Sequence, residues 1–150
     1  MKWIFYKNLS EFKPEHLYEV LKLRQDIFII EQDCIYDDLD GLDHISAHLL
    51  MQNNDDQLIG YLRIVPAGKK FKEVSLGRIA VRIEERGNGY GKELIRKGIE
   101  KALDGSGTAI KIEAQAHLEK YYSGFGFSTS SEVYDVDGIP HLQMVLEVSV

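Results

Sequence analysis

A chain of 150 residues, 44% hydrophobic and 28% charged, has the composition of one folded domain over residues 1–150 rather than of a disordered segment. Its formal charge of −6 disfavours sequence-independent binding to nucleic acid, which needs a basic footprint. No apolar run approaches the roughly 20 residues of a membrane span, and the single cysteine, Cys34, excludes an internal disulfide and makes a reducing, cytoplasmic setting the expectation.

Trp3 to Tyr6 reads as a short first strand, too brief to be the core of a signal peptide. Pro14 suits the first turn of a helix, where its missing N–H would be unpaired anyway. Leu17, Val20, Leu21 and Phe28 then repeat at helical spacing, so an amphipathic helix is expected from Pro14 to about Phe28. Between Glu31 and Asp43 stand six carboxylates (Glu31, Asp33, Asp37, Asp38, Asp40, Asp43) and no base. This segment reads either as a solvated acidic loop or as a field that draws in a cationic substrate such as an amine.

His48–Gln52 and Leu58–Val65 read as strands joined through the turn residues Asn53-Asn54-Asp55-Asp56. Val74–Val81 is a further strand, with Leu76, Ile79 and Val81 as its apolar members. Past a glycine cluster, Leu94, Ile95, Ile99, Ala102 and Leu103 make a second helical stripe, closed by Gly105 and Gly107. Ala109–Ala114 alternates Ile110 and Ile112 against Lys111 and Glu113, as a strand does. A short helix from about Leu118 to Ser123 follows, and Tyr134–Val136 pairs with His141–Val148 across Asp137-Gly138-Ile139-Pro140. A strand meander, then strand–helix–strand, then a hairpin gives an α/β (α+β) fold with a mixed sheet.

The cluster Arg86-Gly87-Asn88-Gly89-Tyr90-Gly91 lies between a strand and a helix. Glycine lets backbone approach a ligand and adopt positive φ. The helix start beyond it offers unpaired N–H groups and partial positive charge, a combination suited to a di- or triphosphate. A Walker loop would need glycine at Arg86 and serine or threonine at Glu93, and fails twice. A dinucleotide fingerprint would need glycine or alanine at Lys92, and fails once.

The spacing Arg86-x-x-Gly89-x-Gly91 resembles the cofactor loop of the GNAT acyltransferases, and Tyr122-x-x-x-Gly126-Phe127 resembles their C-terminal segment. Gln115 stands where that superfamily usually has asparagine. The blocks Leu23-Arg24-x-x-Ile27-Phe28-x-x-Glu31-Gln32-x-Cys34, Asp40-Gly41-x-Asp43, Gly77-Arg78-Ile79-Ala80-Val81, Ala114-Gln115-Ala116-His117-Leu118 and Asp137-Gly138-Ile139-Pro140-His141 resemble the ElaA-like branch, in order and over nearly the whole chain.

The resemblance implies a GNAT fold, a mostly antiparallel mixed sheet whose central parallel strands, Val74–Val81 and Ala109–Ala114, splay apart. It implies acetyl-coenzyme A as cosubstrate and no metal. The pantetheine arm would bond the backbone of Ile79, Ala80 and Val81, and the pyrophosphate would lie on Arg86, Gly87, Asn88, Gly89, Tyr90, Gly91 and Lys92. Gln115 and Tyr122 would complete the cofactor contacts. The expected reaction is direct attack of a primary amine on the thioester in a ternary complex.

That chemistry sets three tasks. An alkyl ammonium of pKa ~10.4 costs roughly 4.6 kcal/mol to supply as free base at pH 7; Glu31 and Glu113 are the candidate bases, with His48 third. Backbone N–H groups around Ile79 to Val81 would stabilise the developing oxyanion. Tyr122 would return a proton to the thiolate, and Tyr121 would point about 100° away around the helix. Arg63, Arg78 and His48 are candidate acceptor contacts: the mid-strand arginines read either as solvated or paired with a carboxylate of the chain, or as a fork for an acceptor carboxylate, and His48 reads otherwise as a packed, hydrogen-bonded residue. His141, Asp137 and Cys34 are assigned no chemistry. The partner is expected to be a small-molecule amine, with no nucleic acid and no membrane. Homodimers are common in the family but have no signal of their own here. The second reading is an acyl-coenzyme A sensor without turnover, which would have no use for a proton donor at Tyr122.

Overall fold

The computed structural model describes residues 1–104 and 108–148. Eight strands form one sheet in the order β1-β2-β3-β4-β5-β8-β6, with β7 also paired to β8. Their ranges are β1 Lys2–Tyr6, β2 Ala47–Gln52, β3 Leu58–Val65, β4 Val74–Val81, β5 Ala109–Gln115, β6 Ser128–Thr129, β7 Tyr134–Val136 and β8 Ile139–Glu147. Every pairing is antiparallel except β4 with β5, which is parallel. The expected mixed sheet with a central parallel pair is therefore present, and β3 and β4 keep the bounds read from the sequence.

Helix α1 (Pro14–Arg24) covers one face of the sheet, where Val20, Leu23 and Ile27 pack on Tyr6, Leu50, Leu58, Tyr61 and Ala80. Helix α2 (Tyr90–Asp104) covers the other, where Leu94 and Ala102 join Leu49, Met51, Ile59, Leu62 and Leu76. Gly98 lies in the middle of α2, where glycine costs about 1 kcal/mol against alanine. A Cβ there would sit 2.7 Å from the Leu62 side chain, so the close seating of α2 on β3 requires it. The expected closure of α2 by Gly105 and Gly107 lies outside the described residues.

Two elements differ from expectation. The first helix is α-helical only to Arg24 and continues as a π-helix over Gln25–Glu31, with Gln32 N–H donating to Ile27 C=O and Cys34 N–H to Ile29 C=O. The wider turn keeps Ile27 in the core, brings Phe28 to the gap between β4 and β5, and delivers Glu31 and Gln32 beside the glycine loop. The last hairpin turns on two residues, Asp137 (φ 50°) and Gly138 (φ 83°), not four. Positive φ at both positions matches the twist of the flanking strands. Ile139 and Pro140 thus belong to β8, and Pro140 lies ahead of the β5 ladder that begins at His141. Helix α3 (Glu119–Ser123) follows a single 3-10 turn over Ala116–Leu118.

Candidate active site

Strands β4 and β5 are paired only at Val74–Ile110 and Ser75–Lys111. Beyond that point β4 stays with β3, and β5 stays with β8 as far as Gln115. The two halves of the sheet peel apart. The facing edges, Gly77–Val81 and Ile112–Gln115, carry backbone donors and acceptors that do not ladder to one another, and an extended chain with amide groups can pair with such edges. A cavity of about 220 Å³ opens there, with Arg78, Ile79, Glu113 and Tyr122 in its wall. A second cavity of about 690 Å³ lies against Arg86, Gly87, Gly89 and Tyr121. Gln32, Gln115 and Leu118 belong to both walls, and Gln115 Nε2 donates to Gln32 Oε1 at 3.3 Å between them.

Three glycines make the second cavity. Gly87 and Gly89 have φ of 87° and 79°, with open space where a Cβ would lie, so conformation and not crowding calls for glycine. Gly91 instead meets the Tyr121 hydroxyl, 3.3 Å from its would-be Cβ. Glu93 N–H donates to Gly89 C=O, which leaves the N–H groups of Tyr90, Gly91 and Lys92 ahead of the first intrahelical bond. Asn88 uses its side chain to tie the loop to Glu85 C=O at 3.1 Å. Arg86 donates twice to Glu31, at 2.5 and 2.7 Å, and its Nε reaches Val81 C=O at 3.3 Å. The bidentate contact holds the Glu31 carboxyl below its ordinary range.

Tyr122 and Tyr121 are divided as helix geometry requires. Tyr122 lines the splay cavity and Tyr121 the glycine-loop cavity, their rings meeting edge-on at 5.4 Å. Burial, then the neighbouring Tyr121, pushes the Tyr122 hydroxyl up to about 12, so it stays protonated throughout the neutral range.

Glu113 lies in the splay cavity, accepting from the Tyr134 hydroxyl at 2.6 Å and from Lys70 Nζ at 3.3 Å. Burial would raise its pKa, but Tyr134 and Lys70 outweigh burial and hold it below the ordinary value of 4.5. A carboxylate in that state is ionised at neutral pH and keeps no proton; it suits an ammonium ion better than it suits proton storage. Lys70 and Tyr134 were not identified from the sequence. The only trace they leave is a lysine in a loop and an aromatic at a strand start.

Several expected site residues are placed elsewhere. Glu31 is not in the splay cavity; its carboxylate serves Arg86 on the glycine-loop side. Arg63 is fully buried, with Nη1 and Nη2 on Asp40 at 2.8 Å and Nη1 also 3.1 Å from Asp43, so both of its terminal nitrogens are committed. His48 is also buried: Nε2–H donates to Asp43 C=O at 3.0 Å, and Nδ1 accepts from the Tyr61 hydroxyl at 2.6 Å. Burial lowers its pKa, and both nitrogens are used. Neither the fork nor the histidine base survives this placement.

The acidic segment is corrected as well. Asp38 and Asp43 are buried, Asp40 stays exposed, and Arg24, Arg63 and Arg78 neutralise all three, so these aspartates do not act as a steering field. Arg24 Nε meets Asp38 at 2.9 Å and its Nη1 meets Asp43 at 2.7 Å, with the arginine itself buried. Arg78 lies in the splay cavity wall, its guanidinium turned back onto Asp38 and Asp40. Nothing in the sequence singles out these pairs, since the segment holds five aspartates and four arginines (Arg24, Arg63, Arg78 and Arg96) stand inside predicted elements.

Comparisons with known proteins agree with this geometry. The family described as Acetyltransferase (GNAT) domain matches residues 18–148. A protein of the UPF0039 group from Synechocystis is 37% identical over 144 residues, covering 95% of this chain and 94% of that protein. The crystal structure of Escherichia coli ElaA superposes with a TM-score of 0.87 at 35% identity, covering 97% of this chain and 99% of the other. That of an acyl-CoA N-acyltransferase from Pseudomonas aeruginosa superposes with a TM-score of 0.89 at 32% identity, covering 97% and 98%.

Proposed function

This chain belongs to the GNAT acetyltransferase family, and from that premise we propose that it transfers the acetyl group of acetyl-coenzyme A to a primary amine of a small acceptor. The observation that carries this reading is the splay of β4 from β5 with Tyr122 in its wall and the glycine loop at its far end.

The residues fit the cosubstrate in three places. The N–H groups of Tyr90, Gly91 and Lys92, with Gly87 and Gly89 open in front of them and Arg86 beside them, suit a diphosphate. The free edges of Ile79–Val81 and Ile112–Gln115 suit an arm with two amides. Gln115, at the junction of the two cavities, suits the passage between them. When bound, acetyl-coenzyme A supplies an activated acyl group.

The chain's own groups then divide the work. N–H groups along Ile79–Val81 face negative charge developing on the carbonyl oxygen, and one such donor is typically worth about 2.7–4 kcal/mol. Tyr122 offers its hydroxyl proton to the leaving thiolate as a hydrogen bond. Glu113 receives the acceptor ammonium in exchange for Lys70, and because its carboxyl does not retain a proton at neutral pH, the proton passes on to solvent. Glu113→Gln is expected to raise the acceptor KM by about tenfold or more, the scale of a lost hydrogen bond to a charged group, while leaving acetyl-coenzyme A affinity unchanged. An unchanged KM would remove Glu113 from the acceptor site.

The test of the function is release of free thiol from acetyl-coenzyme A in the presence of a panel of small primary amines. Release that depends on the amine supports the enzyme. Tight binding without release across the panel would favour an acyl-coenzyme A sensor, although such a module has no use for a half-buried, protonated tyrosine at this position.

A further inference from the structure

Strand β4 contains a bulge at the start of the splay. Gly77 pairs with Arg63 and Ala80 with Tyr61, so Arg78 and Ile79 together oppose Leu62 alone. In a regular strand Leu76, Arg78 and Ala80 would share a face. The extra residue instead puts Leu76, Ile79 and Val81 against the α2 side and Ala80 into the core under α1. The bulge thus decides which way the Ile79–Val81 edge faces.

The residue that makes it is Arg78, at φ 50°. Any residue but glycine is handicapped there by roughly 5- to 30-fold in population, about 1–2 kcal/mol. Gly77 is the immediate neighbour, yet the left-handed conformation falls on the arginine and not on the glycine. The arginine is therefore present for its side chain.

That side chain is anchored from several directions. Nη2 donates to Asp38 C=O at 3.1 Å and to Asp40 Oδ2 at 3.2 Å. Nε stands 2.8 Å from Asp38 Oδ1 with its N–H directed off the line between them, an ion contact rather than a hydrogen bond. The guanidinium lies 5.4 Å from the centroid of the Tyr36 ring, and the Tyr36 hydroxyl donates to Asp38 Oδ1 at 2.6 Å. Arg24 and Arg63 brace the same two aspartates from α1 and β3.

We propose that Arg78 is a positioning residue: clamped on the Asp38–Asp40 segment, its guanidinium offsets the cost of positive φ at residue 78, so that the β4 bulge is kept and the Ile79–Val81 edge is aimed into the splay. The consequence for the cosubstrate rests on the acetyltransferase reading above; the bulge itself does not.

Glycine separates this role from direct contact with a ligand, because Arg78→Gly loses the guanidinium but accepts positive φ, whereas Arg78→Ala loses both. Calorimetry with coenzyme A, thermal midpoints, and the ligand-free amide shifts of Ile79 and Ala80 should be measured for both variants. Arg78→Ala is expected to bind roughly 5- to 30-fold more weakly than the natural chain, and Arg78→Gly to return to within about threefold of it, with similar midpoints for the two variants. The amide shifts should follow the same order. If the two variants bind alike and shift alike, whether both intact or both impaired, the proposal is overturned. If the natural chain binds no coenzyme A, the acetyltransferase reading fails, and the ligand-free shifts still decide the role of Arg78.

Discussion

Replacing Arg24 with methionine will lower the thermal midpoint by roughly 6–20 °C, from about 3–5 kcal/mol of lost stability at about 2–4 °C per kcal/mol in a domain of this size. The cause is what the substitution leaves behind. Asp38 and Asp43 are buried, and each keeps only one of its two arginines, Arg78 and Arg63 respectively. The figure measures the cost of under-compensated buried charge and not the net worth of the network, since exchanging a whole buried ion cluster for apolar side chains can be neutral. Lys2→Ala is the matched control. Its partner Asp56 is exposed, so the loss should stay within about 1 kcal/mol.

The same network fixes the pH response. Asp40 and Asp43 are held below their ordinary value of 3.8: burial opposes the shift, and Arg63 and Arg24 outweigh burial. Near and below that value the unfolded chain binds more protons than the folded one. The stability from these groups is therefore complete above it and is lost as pH falls toward their folded pKa values. His48 acts earlier in the same direction. Burial lowers its folded pKa below 6.5, so its contribution is complete above 6.5 and declines beneath it. Denaturant midpoints measured from pH 8 down to pH 3 should fall continuously, and a rise toward acid would contradict the assignment.

Tyr122→Phe is expected to lower turnover by about 10²- to 10⁴-fold, the usual contribution of a positioned general acid, with coenzyme A affinity within about twofold. The hydroxyl of Tyr122 has its pKa pushed up to about 12, so it holds its proton at any working pH. Full transfer to a thiolate of pKa ~8.5 is therefore uphill, and the hydroxyl acts by donating a hydrogen bond to the sulfur as its negative charge develops, the thiol's own proton coming finally from solvent. Phenylalanine preserves the edge-on contacts with Tyr121 and Phe127, so folding should not change. Single-turnover kinetics with a saturating amine would isolate the step, and unchanged turnover would remove Tyr122 from the mechanism.

What could be read from the sequence was local. The bounds of β3 and β4 were fixed by apolar runs between turn residues, the glycine loop by residue spacing, and the separation of Tyr122 from Tyr121 by helix geometry. The bulge was invisible: nothing in Gly77-Arg78-Ile79 announces that the arginine, and not the glycine, takes positive φ. The partners of the acidic segment were invisible for a related reason. A run of aspartates states its own charge but not which arginines return to it, and Asp38 meets Arg78 across 40 positions while Asp40 meets Arg63 across 23. Strand β6, only two residues long, carries no period to detect. Arg63 and His48 stay ambiguous in the sequence, because a polar residue in a strand reads equally as paired within the fold or as facing a ligand. In the fold they face Asp43.

The most direct test is isothermal titration of the folded natural chain with coenzyme A and with its acetyl form. Binding at a one-to-one ratio, weakened when Arg86 is replaced by alanine, is the predicted result. A well-folded chain that takes up neither molecule would contradict the account, however closely its sheet matches those of its relatives.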